Sequence, residues 1–249
     1  MPVNVRATER WRETYPGAMV GVLGIRGLAN PDRDAALDHH ATLVRDRLRA
    51  RFAGADRVRL LAMPTLQAYA AYYKRFGKSY HVQLQLESVL FKGKSITGPS
   101  AIVQAMFLAE LENQILTAGH DLGSVRGGIA IDVSLGSERY TTMSGVEQGL
   151  KAGDMYLRDE EGILSSIIHG PDRRTRITPE TTAVLLTAYA PPGISKGELE
   201  AHLSALEANT RLVSPLAEVE TREVLEAASG IRSGQSADAA GSFRCRTVR

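Results

Sequence analysis

Cysteine is almost absent: Cys245 is the only one in 249 residues. A lone thiol excludes an internal disulfide and any cysteine-based metal site. Long apolar runs are missing too, with no stretch of the roughly 18 apolar residues that a bilayer-spanning helix needs. Charge of either sign is not in excess, since 30 basic against 28 acidic residues leave a formal net charge of +2. Such a balance neither demands nor forbids nucleic acid, so a basic face has to come from arrangement. Met1-Pro2-Val3-Asn4 shows no positive region followed by an apolar core, and the expectation is a cytoplasmic protein without membrane contact.

Several familiar motifs are also missing. Gly77-Lys78-Ser79 and Gly93-Lys94-Ser95 resemble the end of a P-loop, but the earlier glycine that such a loop needs is replaced by Tyr72 and Ser88. Gly21, Gly24 and Gly27 do not have the spacing of a dinucleotide fingerprint. No histidine pair has the helical spacing of a zinc hydrolase, and no G-x-S-x-G elbow is present. Neither a metal nor a cofactor is called for.

What is there is a soluble composition, 43% hydrophobic and 23% charged, long enough to bury a proper core. It is organised around Pro99–Ala118, where Gln104 is the only polar residue between Ala101 and Ala109. A helix apolar on every side is wrapped by protein, so this stretch predicts a buried central helix, with Pro99 at its first turn and Gly119 at its end. Before it, a strand is expected over 17–25, then helices over 30–52 (Asn30 as N-cap), 64–76 and 81–91. After it come strands at 129–133 and 139–143, a hairpin turning at Asp159-Glu160-Glu161-Gly162, and a strand over 181–189. A capping box at Ser195 and Glu198 opens a helix to Val213, and a weak last helix is expected over 215–228. The domain reading is a leader over 1–16, one mixed α/β (α+β) domain over 17–228, and a flexible tail over 229–249.

Among the histidines, His39, His40 and His202 sit on charged or amphipathic helices and are expected at the surface. His81, His120 and His169 lie at junctions beside Gly, Pro or Asp, where either a structural or a functional role fits. Arg173, Arg174 and Arg176 form the densest basic turn and are candidates to hold phosphate, against a solvated turn salt-bridged to Asp172 or Glu180.

The ordered series Tyr73–Lys78, Glu87–Lys94, Ser100–Asn113, Gly119–Leu122, Gly153–Tyr156, Asp159–Gly162 and Asp172–Thr181 resembles a known family. It is similar to the B3/B4 domain of the phenylalanyl-tRNA synthetase β subunit in a free-standing form, over residues 17–213. The resemblance implies a helical layer on a mixed sheet, with an editing pocket between the central helix and the strands that follow. By position it makes Asn113 and the His120/Asp121 turn the site residues, with Asp159, Arg174, Thr175 and Thr178 from later segments. His120 and Asn113 are then the catalytic candidates, and Gln104, Asp121, Thr175 and Thr178 the substrate-binding ones. Gln104 stands where the family has an acid, which leaves open an altered amino-acid preference or a loss of editing. The function implied is binding of tRNA or aminoacyl-tRNA, with hydrolysis of a mischarged ester. A non-catalytic module for RNA or an amino acid, or a pure interaction partner, is the alternative.

Overall fold

The structure, a computed structural model, describes residues 3–227. In chain order its elements are β1 (Val5–Ala7), α1 (Glu9–Thr14), β2 (Met19–Arg26), α2 (Ala35–Arg51), α3 (Arg57–Leu61), α4 (Pro64–Lys74), α5 (His81–Lys92) and α6 (Ala101–Asn113). There follow β3 (Leu116–Asp121), β4 (Ile129–Val133), β5 (Arg139–Thr141), β6 (Glu147–Gly149), β7 (Met155–Arg158), β8 (Ile163–Ser166), β9 (Gly170–Pro171), β10 (Ala183–Ala190), α7 (Lys196–Val213) and β11 (Glu218–Glu226). The fold is mixed α/β, as expected.

One sheet has the order β11-β2-β10-β3 and is antiparallel throughout; a second has the order β1-β4-β7-β8-β9, with β1 parallel to β4, and β5 and β6 pair as a small two-stranded sheet. Strand β10 is buried along its whole length, which explains why it reads as a continuous apolar run rather than an alternating one. Helix α7 lies against β2, and Gly21 permits the close approach: a Cβ there would sit 3.0–3.2 Å from Leu203 and Leu199. Helix α6 packs on α7, α2 and β3, and Ala101, Ile102, Ala105, Leu108 and Ala109 are almost fully buried, as its apolar wheel requires.

Several boundaries differ from the expectation, each for a local reason. Helix α6 stops at Asn113 rather than Ala118, because Gln114 adopts a left-handed backbone (φ 56°) and its amide donates to the carbonyls of Leu111 and Glu112. Thr117, Gly119 and His120 are therefore strand residues. The cap of α2 is Asp34, accepting from Leu37 N at 2.8 Å, while the expected cap Asn30 is a buried clasp between Thr178 O and Ile102 N. The weak last helix is instead strand β11, paired with β2. The segment expected as a leader contributes β1 and α1 to the body, and Trp11 is in the core. The expected tail over 229–249 lies outside the described residues.

Candidate functional site

The turn at Gln114 folds β3 back along α6 and brings residues seven apart into contact: Thr117 N donates to Glu110 Oε1 at 2.7 Å. Thr117 Oγ1 also hydrogen-bonds with His202 Nε2 at 2.7 Å, and His202 Nδ1 lies 3.4 Å from the Asn113 amide. His202 is thus fully buried rather than on the surface, and burial pushes it down to about 3. His39 is exposed and His40 half-buried, in keeping with their helix.

Glu110 and Thr117 form part of the wall of a partly enclosed cavity of about 250 Å³ between α6, β3, β10 and the β8–β9 turn. Most of its lining is apolar, from Val103, Met106, Phe107, Leu116 and Ile177, with Ser166 and Tyr189 adding hydroxyls and His81, Pro99 and Met143 at the exposed rim. Gly119 keeps the space open, since a Cβ there would come within 2.8 Å of Ile177 Cδ1 and 3.2 Å of Met106 Sδ. Glu110 is the one acid in the wall. It is buried with no ion pair to any described residue, and burial pushes its carboxyl up to about 8 against the pull of the Thr117 N–H. A strongly perturbed acid in an apolar cavity is the kind of group that binding and catalytic sites use. A second, more open groove of about 380 Å³ lies beyond His81 and Phe107, toward Lys94 and Thr97, and holds no buried ionisable group.

The residues expected to act lie elsewhere. His120 is fully buried and does not line the cavity. Thr175 donates its hydroxyl to Asp172, so its oxygen accepts from His120 Nδ1–H at 2.8 Å. His120 Nε2 then accepts from Ser165 at 3.1 Å, and Tyr189 donates to Ser165 at 2.7 Å. Both ring nitrogens are used, and burial, with the charge of Arg174, pushes the imidazole down to about 3. It is a neutral, pinned ring. Asp121 pairs its N–H with Thr175 O and its carboxylate with Gly123 N. The structure therefore unites His120, Asp121, Thr175 and Arg174 in one cluster at the end of β3, with His120 and Thr175 buried and Asp121 and Arg174 partly exposed.

Arg174 is bound to Asp159 at 2.8 Å, Glu161 at 3.3 Å and Ser124 O at 2.7 Å, which spends its guanidinium on protein partners. Asp159 also accepts three backbone N–H groups, from Arg126, Glu161 and Gly162, so the acidic turn is a structural knot. Arg173 and Arg176 are exposed and make no ion pair among the described residues. Gln104 donates to Asp38 at 3.1 Å and to Ile96 O, away from the cavity, and its Oε1 is buried without a partner. Asn113 back-bonds to Ala109 O, and Thr178 serves the Asn30 clasp through its carbonyl. Among the described residues no cluster of three metal-ligating side chains occurs, and no helix is long and apolar enough to cross a membrane.

Glu110 was missed because its position, at the polar end of an apolar helix, reads as the start of a solvated face. The available signal was its place on the Ile102–Met106–Ala109 side of the wheel.

No model of a known protein family matches the chain, and no curated protein matches its sequence. Among solved structures, an N-terminal fragment of the phenylalanyl-tRNA synthetase β subunit from Pyrococcus horikoshii is similar, with a TM-score of 0.46 and 12% identity. The match covers 87% of this chain and 50% of that one, so this chain spans about half of its length. A likeness at that level assigns no domain.

Proposed function

We propose that the cavity between α6 and β3 binds the aminoacyl part of a small amino-acid-like ligand, carried in the cell by an RNA. The observation behind this reading is Glu110, a buried acid with no cation partner among the described residues, set in an apolar cavity of about 250 Å³. That volume falls just below the roughly 300–1,000 Å³ of drug-sized sites and suits an amino-acid moiety. The apolar wall takes a side chain, and Glu110 takes a donor, either an ammonium as carboxylate or a hydroxyl in either protonation state. Aminoacyl-RNA as the carrier comes from the ordered motif resemblance in the sequence.

Binding is the better-supported half of this function. Ester hydrolysis needs a positioned proton acceptor beside the ligand, and His120 is walled off by Thr175 and Ser165. If the protein hydrolyses an aminoacyl ester, Glu110 is the acceptor, poised near neutral pH by its burial. Calorimetric titration with a panel of free amino acids and their non-hydrolysable esters, run beside a deacylation assay on mischarged tRNAs, tests both halves. Binding that Glu110→Gln weakens supports the cavity reading. A wild-type protein that binds none of the panel and cleaves none of the esters refutes it.

A further inference from the structure

The turns beside the Ser166–Gly170 stretch of the cavity wall carry cations that the site described above does not use. Helix α4 ends at Lys74, and the chain turns back so that Lys78 N bonds to Tyr73 O. Lys151 Nζ reaches the same turn, donating to Phe76 O at 3.0 Å. Tyr73 donates from its hydroxyl to Ile167 O at 2.8 Å, which lays this turn against the segment leading to His169. His169 N donates to Ser166 Oγ at 3.0 Å, and both Ser166 and Gly170 line the cavity. Arg75 stands beside the Lys151–Gly153 loop, stacked 5.1 Å over Tyr15 and 5.9 Å over Phe76. Lys78, Lys151 and Arg75 are exposed and make no ion pair among the described residues. Partial burial, then the charges of Lys78 and Lys151, hold the half-buried His169 below its ordinary range, so no compensating acid dominates its surroundings.

We propose that Lys78, Lys151 and His169 form a phosphate-binding lip that holds a nucleotide phosphate whose attached group enters the cavity. The proposal rests on the cavity reading above for the group beyond the phosphate. Two ammonium groups and an imidazole carried on these adjoining segments suit a phosphoryl oxygen, while Asp154, the acid bonded to Ser166 and Ile168, is fully buried and already held by Tyr72. A site that already depresses a histidine relaxes when a dianion arrives. The basic turn at Arg173–Arg176, expected to do this work, has its central guanidinium spent on Asp159.

The test titrates the full chain with a short single-stranded RNA and, separately, with AMP, by fluorescence anisotropy and calorimetry. Wild type is compared with Lys78→Ala, the Lys78→Ala/Lys151→Ala pair, and a control Arg173→Ala/Arg176→Ala pair. The lip predicts a loss of at least about tenfold in the lysine pair and little change in the control. For RNA the salt slope should fall by roughly 0.7 per lost contact. Phosphate ligand should also raise the His169 pKa in an NMR titration. Binding of RNA alone assigns the phosphate to a strand, and binding of AMP as well assigns it to a terminal nucleotide. Unchanged affinity in Lys78→Ala and in the pair, or no binding of either ligand, overturns the lip. Amino-acid binding to the same variants reads the cavity separately, so either site can fail while the other stands.

Discussion

Replacing Glu110 by Gln should change how stability depends on pH. In the folded protein its carboxyl is pushed from 4.5 up to about 8 by burial, while in the unfolded chain it titrates in the ordinary range. Between those values the folded state holds a proton that the unfolded state has released, so stability falls as pH rises. The buried His120 and His202, both near 3, act in the opposite sense, adding stability as pH rises to about 6.5, where the unfolded imidazoles lose their protons. Asp154, pushed up to about 6, has finished titrating by then. Stability from these groups should thus peak a little above pH 6 and decline by about 1 kcal/mol toward pH 8, less than the full ~1.4 kcal/mol per pH unit because Glu110 is itself half ionised there and the unfolded histidines are still losing protons. Glutamine keeps the acceptor oxygen for Thr117 N but cannot ionise. Urea unfolding at pH 6.5, 7.25, 8 and 8.5 should show the decline in wild type and none in Glu110→Gln. An equal decline in the mutant would mean that Glu110 ionises freely and that the cavity is wetter than its walls imply.

Gly119→Ala should leave a folded protein, because Ile177 Cδ1 and Met106 Sδ are movable side-chain ends, yet calorimetry should show the cavity ligand bound at least about tenfold more weakly. Arg174→Ala should destabilise by about 2–3 kcal/mol in denaturant titration, low for a broken buried pair because three backbone N–H groups still hold Asp159. His120→Ala should cost about 3 kcal/mol by stranding the hydroxyls of Thr175 and Ser165 around a void. If that variant melts like wild type yet loses ligand binding, His120 acts in the site after all.

Much of the fold was legible where local chemistry and tertiary context agree. The apolar wheel of α6, the Ser195/Glu198 capping box and the β7–β8 hairpin all declare themselves within a few residues. Strand β11 was not legible because Glu and Leu favour a helix, while the alternation of Val219, Thr221, Val224 and Leu225 is broken by the bulge between Val219 and Thr221. The end of α6 was hidden for a related reason. Glycine is the usual residue for a left-handed cap, and Gly119 looked the part, but Gln114 takes that conformation by bonding its own side chain to the helix end.

That misplaced boundary is why a cavity beside the central helix agrees with the expectation while the residues lining it differ from those expected. With a helix to Ala118, His120 falls at a turn with room to act; with the helix ending at Asn113, the same residue lies inside a strand between two layers. Strand β3 meets the cavity along Leu116–Gly119, and His120 lies one residue past that stretch. Its ring is held between Thr175 and Ser165. Buried polar groups must each be satisfied, and those near β3 are satisfied to different degrees. Tyr189, Ser165, His120, Thr175 and Asp172 complete one another, each donor spent on the next acceptor. Glu110, by contrast, has one N–H from Thr117 and no cation among the described residues. It is the unfinished group, and there a ligand has something to supply.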